Sequence, residues 1–126
     1  MSFSVEPIFR KLVGGQLDTY TKIAETWKIP KNMMKLFNTK GREILVINVE
    51  GDFYACANKC PHMGLPLYLG SLDGKVLTCG FHYAKFDVTT GESLGPATKK
   101  PLNTYKVKIR NSSVLIKLPK RTNKMG

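Results

Sequence analysis

Ile44-Leu45-Val46-Ile47-Asn48-Val49-Glu50-Gly51-Asp52-Phe53-Tyr54-Ala55-Cys56 carries the pattern on which the fold class rests. Its first part is a short apolar run, rich in β-branched residues and ended by a Glu-Gly turn signal; the residues from Asp52 return from that turn. This predicts a buried strand and its hairpin partner. Working outward, Asp73-Gly74 followed by Lys75-Val76-Leu77-Thr78-Cys79 signals a second hairpin. Lys85-Phe86-Asp87-Val88, Thr89-Thr90-Gly91 and Glu92-Ser93-Leu94 signal a third. Tyr105, Val107 and Ile109 alternate with Lys106, Lys108 and Arg110, and Ser113 to Leu118 alternates again after Asn111-Ser112, so a fourth hairpin closes the domain. Upstream, Tyr20 to Ile29 and Asn32 to Asn38 read as strands separated by Pro30-Lys31, with Trp27 as a core or sheet-packing residue. The fold class is therefore all-β.

Composition limits what such a domain can be. A chain of 126 residues with 42% hydrophobic and 23% charged residues is one globular domain with room for one site. No apolar run approaches the roughly 18 residues of a membrane span, and the first residues lack a basic start followed by an apolar stretch, so no membrane association and a cytoplasmic location are expected. Three cysteines cannot form a pure disulfide framework without leaving one over, which favours metal ligation for at least two of them. The net charge is +11, and from Lys99 onward there are nine Lys or Arg and no acid. Such a field favours an acidic partner. Nucleic acid is not expected, because no helix-turn-helix, zinc-finger or aromatic RNA-binding pattern accompanies the charge.

The chemistry is carried by Cys60-Pro61-His62, then sixteen intervening residues, then Cys79-Gly80-Phe81-His82. These positions use both histidines and two of the three cysteines. Each pair follows a predicted strand and runs into Pro- or Gly-containing sequence, so the pairs belong at two loop tips that can clamp a metal centre between them. Zinc on the same four residues remains an alternative, without the two helical histidines of a zinc finger. Cys56 falls outside the pattern and reads as a small buried hydrophobe.

C-x-H, a spacer of this length and C-x-x-H resemble the Rieske signature. Val49 to Ala55 leading into Cys60-Pro61-His62-Met63-Gly64, Phe86-Asp87-Val88-Thr89-Thr90-Gly91, and Gly95-Pro96-Ala97 resemble the same family's strand, hairpin and proline loop. The resemblance implies a Rieske-like antiparallel β-sandwich or barrel with a two-loop cluster-binding tip, the Gly95-Pro96 loop covering a third side. It implies one [2Fe-2S] cluster, with Cys60 and Cys79 on an inner iron and His62 and His82 on an outer one. With neutral histidines the charges of the oxidised cluster and two thiolates cancel, so an electron enters more readily than in an all-cysteine cluster. The additional loop cysteines of the respiratory branch are replaced by Leu65 and Phe81, and its hydroxyl donors by Ala84 and Phe86. This places the chain nearer the low-potential ferredoxins, which lack the loop disulfide.

The expected function is a soluble single-electron carrier between protein redox partners, a reductase as donor and an oxygenase or other oxidoreductase as acceptor. The chain is expected to be a monomer with acidic partners. A small Rieske-like subunit of a reductase complex, such as nitrite reductase, and a structural zinc module are the alternatives. An enzyme is not expected, because no histidine remains for catalysis once both are ligands. Met63, Leu65, Pro66 and Phe81 would surround the histidines with apolar surface, and Lys59 and Lys85 would flank them. The expected organisation is an N-terminal extension over 1–18, the Rieske domain over 19–118 and a basic tail over 119–126. Pro7 to Val13 could form a short helix before Gly14-Gly15, but the segment reads best as a packing extension or a loose arm.

Overall fold

The computed structural model describes residues 20–81 and 83–119. Among the described residues nine strands form two antiparallel sheets: β1 (Tyr20–Glu25), β2 (Met33–Thr39), β3 (Arg42–Val49), β4 (Asp52–Ala57), β5 (Ser71–Asp73), β6 (Val76–Thr78), β7 (Lys85–Asp87), β8 (Thr104–Arg110) and β9 (Ser113–Lys117). The larger sheet runs in the order β1-β9-β8-β4-β3-β2, and β5-β6-β7 form the smaller one. The expected all-β fold is what the chain adopts, and the Glu50-Gly51 and Asp73-Gly74 turns join the hairpins that the sequence predicts.

The apolar run that decided the reading is buried on both faces. Successive strand side chains point to opposite sides, and β3 uses this to serve two cores. Ile44 and Val46 pack with Ala24, Ile29, Ala55, Val114 and Ile116. Leu45 and Ile47 pack with Cys56, Leu67, Leu77 and Phe86, and this second core also contains Cys60 and Cys79. The two loops that begin at these cysteines are thus rooted in packed apolar side chains. Each large buried side chain contributes about 1.5–3 kcal/mol to holding that arrangement.

Three expectations are corrected. The strand that starts at Tyr20 stops at Glu25, where Thr26 turns its N–H to the Ser112 carbonyl at 2.9 Å and a single 3-10 turn follows over Thr26–Lys28. Trp27 lies on that turn and is 71% exposed, so it is not a core residue. Its neighbour Lys28 instead places its ammonium 5.6 Å from the indole ring. The third hairpin is only half formed: Glu92-Ser93-Leu94 return beside β7 through the single bridge Phe86–Ser93. The Thr89-Thr90-Gly91 turn is held by Asp87, whose Oδ1 accepts from the Thr89 N–H at 2.9 Å and its hydroxyl at 2.6 Å. The predicted extension and the tail from Lys120 lie outside the described residues.

Candidate metal centre

Two strands deliver the two cysteines to the same place. β4 ends at Ala57, three residues before Cys60, and β6 ends at Thr78, directly before Cys79. Both loops then close with the same backbone bonds. The Cys60 N–H donates to the Leu65 carbonyl at 2.8 Å, and the Gly64 N–H returns to the Cys60 carbonyl at 2.6 Å. The Cys79 N–H donates to the Ala84 carbonyl at 2.7 Å, and the Tyr83 N–H returns to the Cys79 carbonyl at 3.0 Å. In each loop the residue four positions after the cysteine takes a left-handed backbone, with φ of +77° at Gly64 and +56° at Tyr83.

The loops are locked to one another through glycine. Residues Leu67–Leu69 form a 3-10 turn that lies against the start of the second loop. A Cβ on Gly70 would overlap the Thr78 carbonyl oxygen, and one on Gly80 would come within 2.9 Å of the Leu69 carbonyl oxygen. Backbone meets backbone here, which only glycine permits. The sequence reading missed this role, although a glycine directly after Cys79 is the kind of residue that marks a close approach.

The structure brings Cys60 and Cys79 together. Both are fully buried, and neither is in a disulfide. Burial pushes the Cys60 thiol above its usual range and contact with the Cys79 thiol adds to this, while hydrogen bonds from the His62 and Met63 backbone N–H groups act in the opposite direction. Two abutting buried thiols with backbone donors aimed at the sulfur are suited to bind a metal as thiolates. His62 is half-buried and its Nδ1 atom is shielded from solvent. The remaining predicted position, His82, lies outside the described residues. Cys56 sits inside the adjoining core, where burial pushes its thiol up to about 12, as expected of a packing residue.

Among the described residues no three His, Cys, Asp or Glu side chains converge on one point that a single ion could occupy. A zinc ion gathers its four donors around one centre, whereas a two-iron cluster asks for two donors at each iron with the sulfides between. The described part of the site supplies a cysteine from each of two loops, with His62 two residues after the first. Around the loops Met63 (59%), Phe81 (46%) and Tyr83 (74%) are exposed, while Leu65 and Pro66 are half-buried. Lys59 and Lys85 are both exposed, and neither loop contains an acid. The Leu94 N–H donates to the Lys85 carbonyl at 2.7 Å, which brings the Gly95-Pro96 loop beside the second loop.

Comparisons with known proteins agree with this geometry. A family model described as the Rieske [2Fe-2S] domain matches residues 19–106. The ferredoxin component of the naphthalene 1,2-dioxygenase/salicylate 5-hydroxylase systems of Ralstonia sp. is 37% identical over 90 residues, covering 71% of this chain and 86% of that protein. The Sphingomonas yanoikuyae B1 ferredoxin superposes with a TM-score of 0.75 at 25% identity, over 80% of this chain and all of that one. A chain from the complex of reduced oxygenase and oxidized ferredoxin in carbazole 1,9a-dioxygenase superposes with a TM-score of 0.76 at 26% identity, over 84% of this chain and 99% of that one. The chain belongs to the Rieske [2Fe-2S] domain family, and its cofactor is one [2Fe-2S] cluster.

Proposed function

We propose that this chain is a Rieske-type ferredoxin that passes single electrons from a reductase to an oxygenase, with its cluster held by Cys60 and Cys79 on one iron and His62 and His82 on the other. The observation that carries the reading is the pair of buried, abutting thiols at the root of two identically closed loops. The relatives, named as ferredoxin components of dioxygenase systems, support the carrier role. Four protein donors fill both irons and leave no open position for a substrate, so the chain carries electrons and does no catalysis of its own. Met63, Phe81 and Tyr83 supply an apolar rim through which the histidine edge meets a partner.

The partner's docking surface is acidic in this reading. Lys59 and Lys85 sit at the rim, and Lys106, Lys108 and Arg110 occupy one exposed face of β8. Lys106 is paired in register with Lys117 of β9, so basic residues of two strands share that face. The chain acts as a monomer in the cytoplasm. Among the described residues no helix is long and apolar enough to cross a membrane.

Stopped-flow reduction by the reductase of the host tests this. Reduction should slow as salt rises and should slow further at low salt in the Lys59→Glu, Lys85→Glu variant, with the cluster potential little changed. A rate indifferent to salt and to both reversals would contradict acidic docking at the rim.

A further inference from the structure

We propose that Asn58 is the positioning residue of the cluster site: it sets the distance between the two cysteine loops without touching the metal itself. The inference rests on the ligand assignment proposed above. Asn58 is only 7% exposed and lies two residues before Cys60. Its backbone N–H donates to the Glu43 carbonyl at 3.1 Å, which ties the root of the first loop to β3. Its side-chain Nδ2 donates to the Glu43 carboxylate at 3.2 Å, and its Oδ1 accepts the Tyr68 N–H at 2.8 Å.

The Tyr68 bond reaches furthest. Tyr68 belongs to the 3-10 turn over Leu67–Leu69, whose first N–H groups have no acceptor within the turn itself. Asn58 supplies that acceptor and so fixes where the turn sits. The far end of the same turn carries the Leu69 carbonyl that abuts Gly80, and Gly70 abuts Thr78, on either side of Cys79. A continuous series of contacts therefore runs from Glu43 on β3 through Asn58 and the turn to the backbone around Cys79. Moving Asn58 moves the turn, and moving the turn changes the separation of the Cys60 and Cys79 sulfurs. Groups behind the ligands of a metal site tune both its affinity and its electronics.

The test uses the holoprotein and follows two readouts, the rate of cluster loss to an iron chelator and the EPR g values of the reduced cluster. Asn58→Ala should lose its cluster about tenfold faster, at the lower end of what such supporting residues cost, with displaced g values. Val114→Ala, in the other core, serves as the control: it should loosen the fold and leave the g values in place. Asn58→Asp keeps the acceptor for Tyr68 but sets a carboxylate against Glu43, so its cluster loss should lie between the two. Adding Glu43→Gln to that variant restores an amide–carboxylate pair with donor and acceptor exchanged, and it should return both readouts toward the parent. If Asn58→Ala does not fold, the Asp and Asp/Gln pair carries the test alone. Unchanged g values and loss rates in the Asn58 variants, or no rescue by Glu43→Gln, would overturn the proposal. An incorrect ligand assignment would show separately, as a Cys60→Ser chain that still assembles the chromophore.

Discussion

The loop that starts at Cys60 and the loop that starts at Cys79 share a backbone and differ in what they hang on it. Each is closed by the same two hydrogen bonds and each turns through a left-handed residue, yet the first uses Gly64 and the second Tyr83. Glycine takes that conformation without penalty, whereas a residue with a Cβ there costs of order 1–2 kcal/mol. Tyr83 is also 74% exposed, so packing does not repay the strain. The backbone frame is shared, and the side chain at its tightest point is not set by stability; in the proposed function it belongs to the docking rim.

The largest expected effects fall on the residues that the loops have in common. Cys60→Ser and Cys79→Ser should each bring iron and sulfide content to background, while Cys56→Ser should leave the visible spectrum nearly unchanged. In the native state Cys56 should also resist iodoacetamide at pH 8, because burial holds its thiol at about 12. Iron lost only in the Cys56 variant would break the equivalence of the two loops. The contact between them is next. Gly70→Ala would drive a methyl into the Thr78 carbonyl and should destabilise the holoprotein by about 1–3 kcal/mol, the cost of overpacking, as read from denaturant unfolding.

A smaller effect separates the loops. Gly64→Ala should cost about 1–2 kcal/mol, since it places a Cβ at φ +77°. Tyr83→Gly should change stability by less than about 1 kcal/mol, because relief of strain is offset by the freedom that glycine gains when unfolded. It should nevertheless slow electron transfer to the oxygenase. Equal stability losses in both variants would show that Tyr83 is held by something other than the shared frame.

The smallest effect lies where the second loop returns to the sheet. Asp87 is held below the usual carboxylate range first by the Thr89 hydroxyl, with the Lys75 ammonium at 3.3 Å helping. A carboxyl whose folded value is depressed adds stability above its unfolded value and loses it as pH falls through the folded one. Thr89→Val should therefore flatten the acid limb of the stability profile below about pH 4. An unaltered acid limb would remove Asp87 from the account.

How much of this was legible in the sequence depended on the range of the signal. Three hairpins announced themselves through alternation and the Glu50-Gly51, Asp73-Gly74 and Asn111-Ser112 turns, while the one after β7 closes through a single bridge; the run over Ile44–Val49 was visible as buried, although its service to two cores depends on which sheets flank it. Cys60, His62, Cys79 and His82 stood out by spacing, while Cys56 was set apart by falling outside it. For Trp27, apolar character in a strand-like stretch suggests burial, and nothing local shows that the strand stops at Glu25 and that Thr26 bonds Ser112 instead. Asn58, Gly70 and Gly80 carried no periodic signal: their roles exist only once residues distant in the sequence are brought against them. The exposure of Tyr83 on a left-handed backbone was likewise invisible before folding.

In the proposed function two loops, each giving one cysteine and one histidine, hold a two-iron cluster with the sulfur and nitrogen donors on different irons. Mössbauer spectra of the iron-57-enriched protein, read with nitrogen hyperfine couplings of the reduced cluster, test it most directly. The account predicts two iron sites in equal amounts with distinct parameters, the added electron on the histidine-bound iron, and couplings that diminish in both His62→Cys and His82→Cys. Two equivalent iron sites, or nitrogen couplings untouched by either substitution, would contradict it.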